Sequence, residues 1–403
     1  MDKANSRKKI LIVSHALELG GAERSLIGLL DVIDKEKYQV DLFLMRHEGE
    51  LLGMIPDKIT LLPEISAYTV LARPMVEVLK ERHLLLCAAR MFGKVKASLY
   101  DKRHHYEDSG VALEYSHKYT CPFMPKIQPQ KEYDVAISFL TPHYFVTKKV
   151  HARKKIAWIH TDYTNVQVNK KSESAMWGAY GTIVAISKAA ATAFKKTFTN
   201  VKSDIIIMEN ILPQRLIEWQ AKEKCELDSS CFKILSIGRF CTAKNFDNVP
   251  DICRRLTEMM EINIKWFLIG FGSDEQLIRQ KIKENRMEDR VIILGKKSNP
   301  YPYIKACDLY VQPSRYEGKC VSVKEAQMLG KPVVITAYST SSSQLENGVD
   351  GIIVPMDNEK CAMGIAELIK NRDKMQALSN NCRERDYSNQ SEVKKIYAVF
   401  ERN

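Results

Sequence analysis

Ile10, Leu11, Ile12 and Val13 form a short apolar run that stops at Ser14 and His15. A run of that length closed by small polar residues predicts a buried parallel strand. Gly20 and Gly21 follow, and then Leu26, Leu29, Leu30 and Ile33 recur at helical spacing. Further strands are predicted over 40–44, 135–138, 155–160, 182–187 and 205–208. This alternation of apolar runs and amphipathic stretches is α/β grammar, with helices crossing between parallel strands.

Polar and charged residues over 213–230 interrupt the rhythm, which then restarts. Strands are predicted over 232–238, 266–270, 291–295, 309–313 and 332–336, with helices over 274–285, 321–329 and 361–371. The pattern therefore predicts an α/β chain of two doubly wound, Rossmann-like domains facing a cleft. The expected boundaries are a first domain over 1–212, a linker over 213–230 and a second domain over 231–386. A last helix over 387–403, with Val393, Ile396, Tyr397 and Phe400 on one face, either crosses back to the first domain or lies on the second. In open sheets of this kind ligands bind beyond the strand C-termini.

Residues 74–99 interrupt the first domain with a predicted helix. Leu85, Ala88, Phe92, Val95 and Leu99 share one face, with Arg90, Lys94 and Lys96 elsewhere. That face suits a core-facing helix, the more ordinary reading, or a basic amphipathic surface lying on anionic lipid.

Composition narrows the class. The 403 residues, 45% hydrophobic and 27% charged, suit packed domains rather than disorder. No apolar run approaches the roughly 18–20 residues of a membrane span, and the N-terminal run is too short for an export signal, so a cytoplasmic, at most membrane-peripheral protein is expected. Ten cysteines without a CxxC or a zinc-ligand spacing predict reduced thiols. The net charge of +12 is uneven: residues 148–202 hold eleven Lys and Arg against Asp162 and Glu173. Such a field attracts polyanions, whether nucleic acid, anionic lipid or a phosphorylated small molecule.

Four stretches carry candidate chemistry. Gly20 and Gly21, between a strand and a helix, allow close backbone approach to an anion. Arg239 and Lys244, just beyond a strand end, can grip a diphosphate. Glu317 lies in a strand-to-helix loop and Glu325 about a turn inside the following helix, eight positions on. One carboxylate can then face a reacting group while the other reaches a ribose diol. His160 closes the strand over 156–160, where a histidine is either structural or a ligand.

The combined pattern resembles the retaining glycosyltransferases of family 4, which have the two-domain GT-B fold. The matching pieces are Gly20, Gly21, Ala22 and Glu23; His160; Val184 to Ser187; Gly238 and Arg239 with Lys244 and Asn245; and Glu317, Gly318, Lys319, Lys324, Glu325 and Ala326 ahead of Gly330, Lys331, Pro332 and Val333. The Glu-Gly-Lys subset resembles enzymes of bacterial capsule, exopolysaccharide and lipopolysaccharide assembly. The resemblance implies that Arg239 and Lys244 stabilise a nucleoside diphosphate leaving group. Glu317 would lie by the donor sugar and His160 would hydrogen-bond it. Gly318, Lys319, Cys320 and Val321 would offer main-chain donors, Glu325 would hold the ribose, and Gly20, Gly21 and Gly295 would border the donor. Lys319 and Cys320 stand where many relatives carry Phe and a small residue.

The implied reaction moves a sugar from a nucleotide-sugar, UDP favoured, to a lipid-linked or saccharide acceptor at the inner face of the membrane. The nucleotide-sugar is a substrate, so no cofactor is implied. No Asp-x-Asp occurs in the chain, which fits transfer without a metal. An anionic membrane surface is an expected partner and nucleic acid is not. The competing expectations are a nucleotide-sugar epimerase or hydrolase on the same scaffold, or a non-enzymatic polyanion-binding protein.

Overall fold

The computed structural model describes residues 7–18, 20–71, 73, 81, 83–106, 109–140, 143–161, 163, 166–225, 227, 230–317 and 320–402. The chain divides into two compact units. Met1–Pro213 and Asn389–Asn403 make the first, and Gln214–Ser388 the second.

The first unit is built on strands β1 (Lys8–Ser14), β2 (Tyr38–Leu44), β3 (Ile59–Leu61), β4 (Tyr133–Ser138), β5 (Ala152–Ile159), β6 (Thr182–Ala185) and β7 (Asp204–Ile207). They form one sheet in the order β3-β2-β1-β4-β5-β6-β7, every pair parallel. The apolar runs are apolar because helices cover both faces: Ile10, Leu11, Ile12, Val135, Ile137 and Ile183 are fully buried.

The second unit repeats the plan with β8 (Phe232–Ile237), β9 (Ile264–Ile269), β10 (Val291–Gly295), β11 (Leu309–Gln312), β12 (Val333–Thr336) and β13 (Ile352–Val354). Their order is β10-β9-β8-β11-β12-β13, again all parallel. The chain winds outward in one direction from β8 and in the other from β11. Consecutive crossovers diverge there and leave an open crevice at the strand C-termini.

Two segments differ from the sequence reading. The expected linker over 213–230 carries a helix, Gln214–Gln220, which buries Leu216 and Ile217. The helix expected over 74–99 is described from Leu84 to His104, and its faces are reversed. Leu85, Ala88, Phe92, Val95 and Leu99, expected to face the core in the more ordinary reading, are exposed. The buried positions are Leu86, Cys87, Ala89, Gly93 and Ala97. Ala89, Gly93 and Ala97 recur every fourth residue and let the helix Val111–Thr120 come close; a Cβ on Gly93 would stand 2.8 Å from the Tyr115 carbonyl oxygen. Small size, not apolar bulk, selects the packed face. Residues 74–80 and 82 lie outside the described residues.

The last helix, Val393–Glu401, packs on the first unit. Tyr38 stacks on Tyr397 with ring centroids 5.1 Å apart and donates from its hydroxyl to Glu401 at 2.9 Å. The Tyr397 hydroxyl accepts from the Asp34 backbone N–H at 2.7 Å.

Candidate active site

β8 ends at Ile237, and beyond Gly238 the chain turns over Thr242–Lys244 into Asn245, which sits in the left-handed region at φ 59°. Asparagine adopts that conformation at low cost. The turn folds the Lys244 side chain back over Gly238, where an added Cβ would stand 3.0 Å from Lys244 Cε. β11 ends at Gln312, and the loop after it carries Glu317. Lys244 and Glu317 therefore come from the ends of the two strands between which the winding reverses.

There they meet. Lys244 Nζ donates to Glu317 Oε1 at 2.5 Å, with side chains 17% and 11% exposed. Burial works against the Lys244 charge, but the Cys320 sulfur and the Glu317 carboxylate outweigh it and hold the ammonium above its ordinary range. A charged ammonium is thus held beside Glu317, beyond the ends of β8 and β11.

Glu317 is positioned by a buried chain of hydrogen bonds. The Tyr310 hydroxyl donates to Gln312 Oε1 at 2.9 Å, Gln312 Nε2 to Ser314 Oγ at 3.0 Å, and Ser314 Oγ to Glu317 Oε1 at 2.7 Å. Tyr310, Gln312 and Ser314 are fully buried. Thr340 Oγ1 also fixes the Glu317 carbonyl at 2.7 Å. A second device joins the two loops. Arg315 binds Asp247 through two parallel bonds, at 2.9 and 2.7 Å, and donates to the Thr242 carbonyl at 2.7 Å. Such bidentate pairs fix geometry as well as adding energy.

Cys320 starts the helix Val321–Met328. Its backbone N–H donates to Gln344 Oε1 at 2.8 Å, and its Sγ lies 3.7 Å from Lys244 Nζ. Burial pushes the thiol pKa up despite the neighbouring charge. Val321, the first helical residue, is exposed. One turn in, Glu325 is buried and accepts from the Tyr301 hydroxyl at 2.9 Å. Gly318 and Lys319 lie outside the described residues.

The other predicted residues are placed separately. Arg239 is exposed, two residues beyond the end of β8. Gly295 ends β10, and its carbonyl accepts from the Gly270 N–H at 3.0 Å. Gly270 must be glycine, because a Cβ there would stand 1.9 Å from the Gly238 carbonyl oxygen. In the first unit, Gly20 caps the helix Gly21–Val32, with Gly21 its first residue. A Cβ on Gly20 would stand 2.0 Å from Glu23 Oε2, whereas one on Gly21 would meet nothing within 4 Å.

His160 follows β5, and its ring packs on Phe139 with centroids 4.8 Å apart. Burial lowers its pKa to about 4, with a backbone hydrogen bond at Phe139 opposing. The imidazole is neutral at physiological pH. Its Nε2 is buried without a hydrogen-bond partner among the described residues, which leaves one polar atom for a ligand. Asp162 lies outside the described residues. Among those described, no group of three or more His, Cys, Asp and Glu side chains is placed to hold a metal ion.

Sequence reasoning missed Gln312, Ser314, Asp247 and Tyr301. Ser314 lies between the strand predicted over 309–313 and Glu317, but a small polar residue there gives no sign that it is buried.

Comparison with known proteins gives this unit its class. Residues 218–385 match the family model described as glycosyl transferases group 1. The match spans nearly the whole second unit, which is similar to that family. A Campylobacter jejuni protein named N-acetylgalactosamine-N,N'-diacetylbacillosaminyl-diphospho-undecaprenol 4-alpha-N-acetylgalactosaminyltransferase is 25% identical over 223 residues, 55% of this chain and 60% of that protein. A UDP-Gal:alpha-D-GlcNAc-diphosphoundecaprenol alpha-1,3-galactosyltransferase of Escherichia coli is 23% identical over 175 residues, 42% of this chain and 44% of that protein. The chain thus spans less than two thirds of the length of these relatives. Among solved structures, a glycosyltransferase from Rickettsia africae superposes with a TM-score of 0.60 at 15% identity, covering 98% of each chain. Anabaena Alr3699/HepE in complex with UDP gives 0.55 at 16% identity, covering 97% of this chain and 99% of that one. At such identities the likeness shows the fold, and the two Rossmann-like domains of the GT-B class expected from the sequence are the fold of this chain. The matched stretch includes both Lys244 and Glu317.

Proposed function

We propose that the chain is a retaining glycosyltransferase that moves a sugar from a nucleotide-sugar, UDP favoured, to a lipid-linked saccharide acceptor of bacterial surface-polysaccharide assembly. The observation that carries this reading is the placement of Lys244 and Glu317 at the β8/β11 reversal of a unit similar to the group 1 glycosyl transferases. The relatives from C. jejuni and E. coli, named for diphospho-undecaprenol-linked acceptors, support the acceptor class.

Cleaving the anomeric C–O bond leaves negative charge on the diphosphate and positive charge on the sugar ring. Lys244 and Arg239 would stabilise the diphosphate, a cation in a preformed site needing little reorganisation as charge develops. Glu317, with Oε1 occupied by Lys244 and Ser314, would meet the donor sugar. The main-chain N–H of Val321, at the start of a helix, would add a donor for sugar or phosphate, and those of Gly318 and Lys319 are proposed to do the same, whereas the Cys320 N–H expected to join them is taken by Gln344; Gly295 would border the nucleotide. Glu325 would contact the ribose with Tyr301 holding one oxygen. In the first unit His160 Nε2 would offer one hydrogen-bonding atom to a polar ligand, and Gly20 and Gly21 would allow close backbone approach to an anion.

Retention follows from front-face attack, in which the leaving phosphate oxygen takes the acceptor's proton; no dedicated base and no metal are then required. The reaction would run at the cytoplasmic face of the membrane, where nucleotide-sugars are available. The test is release of UDP from a panel of UDP-sugars with and without a diphospho-polyprenyl saccharide, with the product anomer read by NMR. Acceptor-dependent release with a retained anomer supports the reading. Consumption of donor at the same rate without acceptor marks a hydrolase or epimerase instead.

A further inference from the structure

The helix Leu84–His104 presents an apolar face that the described residues leave largely uncovered, the Tyr119 ring touching only Phe92, edge-on at 5.0 Å between centroids. Leu84, Leu85, Met91, Phe92, Val95 and Leu99 are each between 50% and 69% exposed. At helical spacing they form one stripe over about four turns, roughly 23 Å long. A folded chain buries such a stripe when it can, and here the helix has packed its opposite face, built of Ala89, Gly93 and Ala97. The exposed bulk is therefore not a by-product of poor packing. It sits on the outside because the inside requires small residues.

The charges around the stripe identify what would cover it. Lys94 flanks it on one side and Lys96 on the other, with Lys102 and Arg103 at its C-terminal end. Lys96 Nζ lies 5.5 Å from the Phe92 ring centroid. Along the Lys94 flank runs a groove of about 590 Å³ lined by Lys94, Ser98, Asp101, Lys102, His105, Tyr106 and Ala112. Asp101 is the only carboxylate of the helix, and it accepts from Ser109 Oγ at 2.8 Å. A second copy of this chain would be a poor occupant. A two-fold interface places the same patch on both sides and would set these cations against their equivalents. A segment crossing the bilayer is excluded for this helix, since none among the described residues is long and apolar enough. Apolar bulk with a cationic border matches one surface, that of an anionic bilayer, in whose interface such a helix lies flat.

We infer that the 84–104 helix is a docking surface for anionic lipid, its stripe from Leu84 to Leu99 entering the headgroup boundary and Lys94, Lys96, Lys102 and Arg103 meeting lipid phosphates. Docking through this face does not depend on sugar transfer by the second unit, so the two can fail separately.

The experiment is flotation of the full chain with vesicles of phosphatidylcholine alone or with 30 mol% phosphatidylglycerol, at low and high salt. Binding to the anionic vesicles, weakened at least threefold by high salt and by Lys94→Glu/Lys96→Glu/Lys102→Glu, is expected. The variant Leu85→Glu/Phe92→Glu/Val95→Glu is expected to bind at least tenfold more weakly while keeping wild-type thermal stability and donor turnover. Unchanged flotation of both variants overturns the proposal. So does wild-type failure to float, or a wild-type dimer in sedimentation that the Glu variant dissociates without any vesicle binding by either protein.

Discussion

Lys244 Nζ and Glu317 Oε1 lie 2.5 Å apart across 73 residues of sequence, joining the loop after β8 to the loop after β11. A cation and a carboxylate that close form a neutral pair while the crevice is empty. Under the proposed function a diphosphate would compete with Glu317 for the ammonium, so the carboxylate would hold the proposed binding group in place until the donor arrives.

Lys244→Ala is therefore expected to lower kcat/KM for the nucleotide-sugar by at least a hundredfold, a loss of about 2.7 kcal/mol or more in transition-state stabilisation. Glu317 would keep its Ser314 bond, so the folded state should lose only about 1–3 kcal/mol. Denaturant titration alongside steady-state kinetics separates the two effects.

Ser314 touches no ligand in this scheme and acts through Glu317. Ser314→Ala is expected to reduce kcat about tenfold with little change in KM, because the carboxylate would remain present but less firmly aimed. Gln312→Leu breaks the chain one bond earlier and should show the same kcat-weighted pattern. Equal increases in KM in both variants would instead make the chain part of donor binding.

The Arg315–Asp247 pair predicts a different pattern. Asp247→Asn leaves the Lys244 turn less firmly joined to the Glu317 loop, and a looser donor site should appear mainly as a several-fold rise in KM. Arg315→Lys cannot form both parallel bonds and should behave similarly. Isothermal titration with UDP would show the weakened binding without a turnover assay.

Much of the organisation was legible because burial on both faces of a parallel sheet leaves uninterrupted apolar runs. Eleven of the strands are visible that way, from Ile10 in β1 to Ile335 in β12. The edge strands β3 and β13 have three residues each, too few to show a pattern. The helix Val111–Thr120 was missed because Glu114, Ser116 and His117, which read as surface residues, are buried in it. The Leu84–His104 helix was given the wrong inward face because periodicity weighs apolar bulk and is blind to the close approach that Gly93 permits. For the site, charged residues at strand ends were readable. The small polar groups that position them, Gln312 and Ser314, differ from surface residues only in their burial.

The buried carboxyls of the first unit predict a pH dependence. Glu114 accepts from the Tyr144 and Ser172 hydroxyls, and Trp177 Nε1 donates to Glu173 at 3.3 Å. Burial, and then the nearby Glu114 charge, push the Glu173 pKa up to about 7. A carboxyl raised in the fold contributes stability at low pH and loses it as pH rises through the folded value. Between pH 4 and pH 8 the wild type should lose roughly 3 kcal/mol relative to Glu173→Gln. Taking the difference between the two proteins removes the opposing contribution of His143, whose pKa burial lowers to about 3. Urea titrations of both proteins at the two pH values measure it.

Binding of UDP to the wild type, Lys244→Ala and Glu317→Gln proteins, by calorimetry at one pH and salt, is the most direct measurement. A diphosphate site built on Lys244 predicts saturable binding by the wild type, at least tenfold weaker binding by Lys244→Ala, and binding as tight or tighter in Glu317→Gln, where the competing carboxylate charge is gone. Equal UDP affinity in all three folded proteins would contradict it.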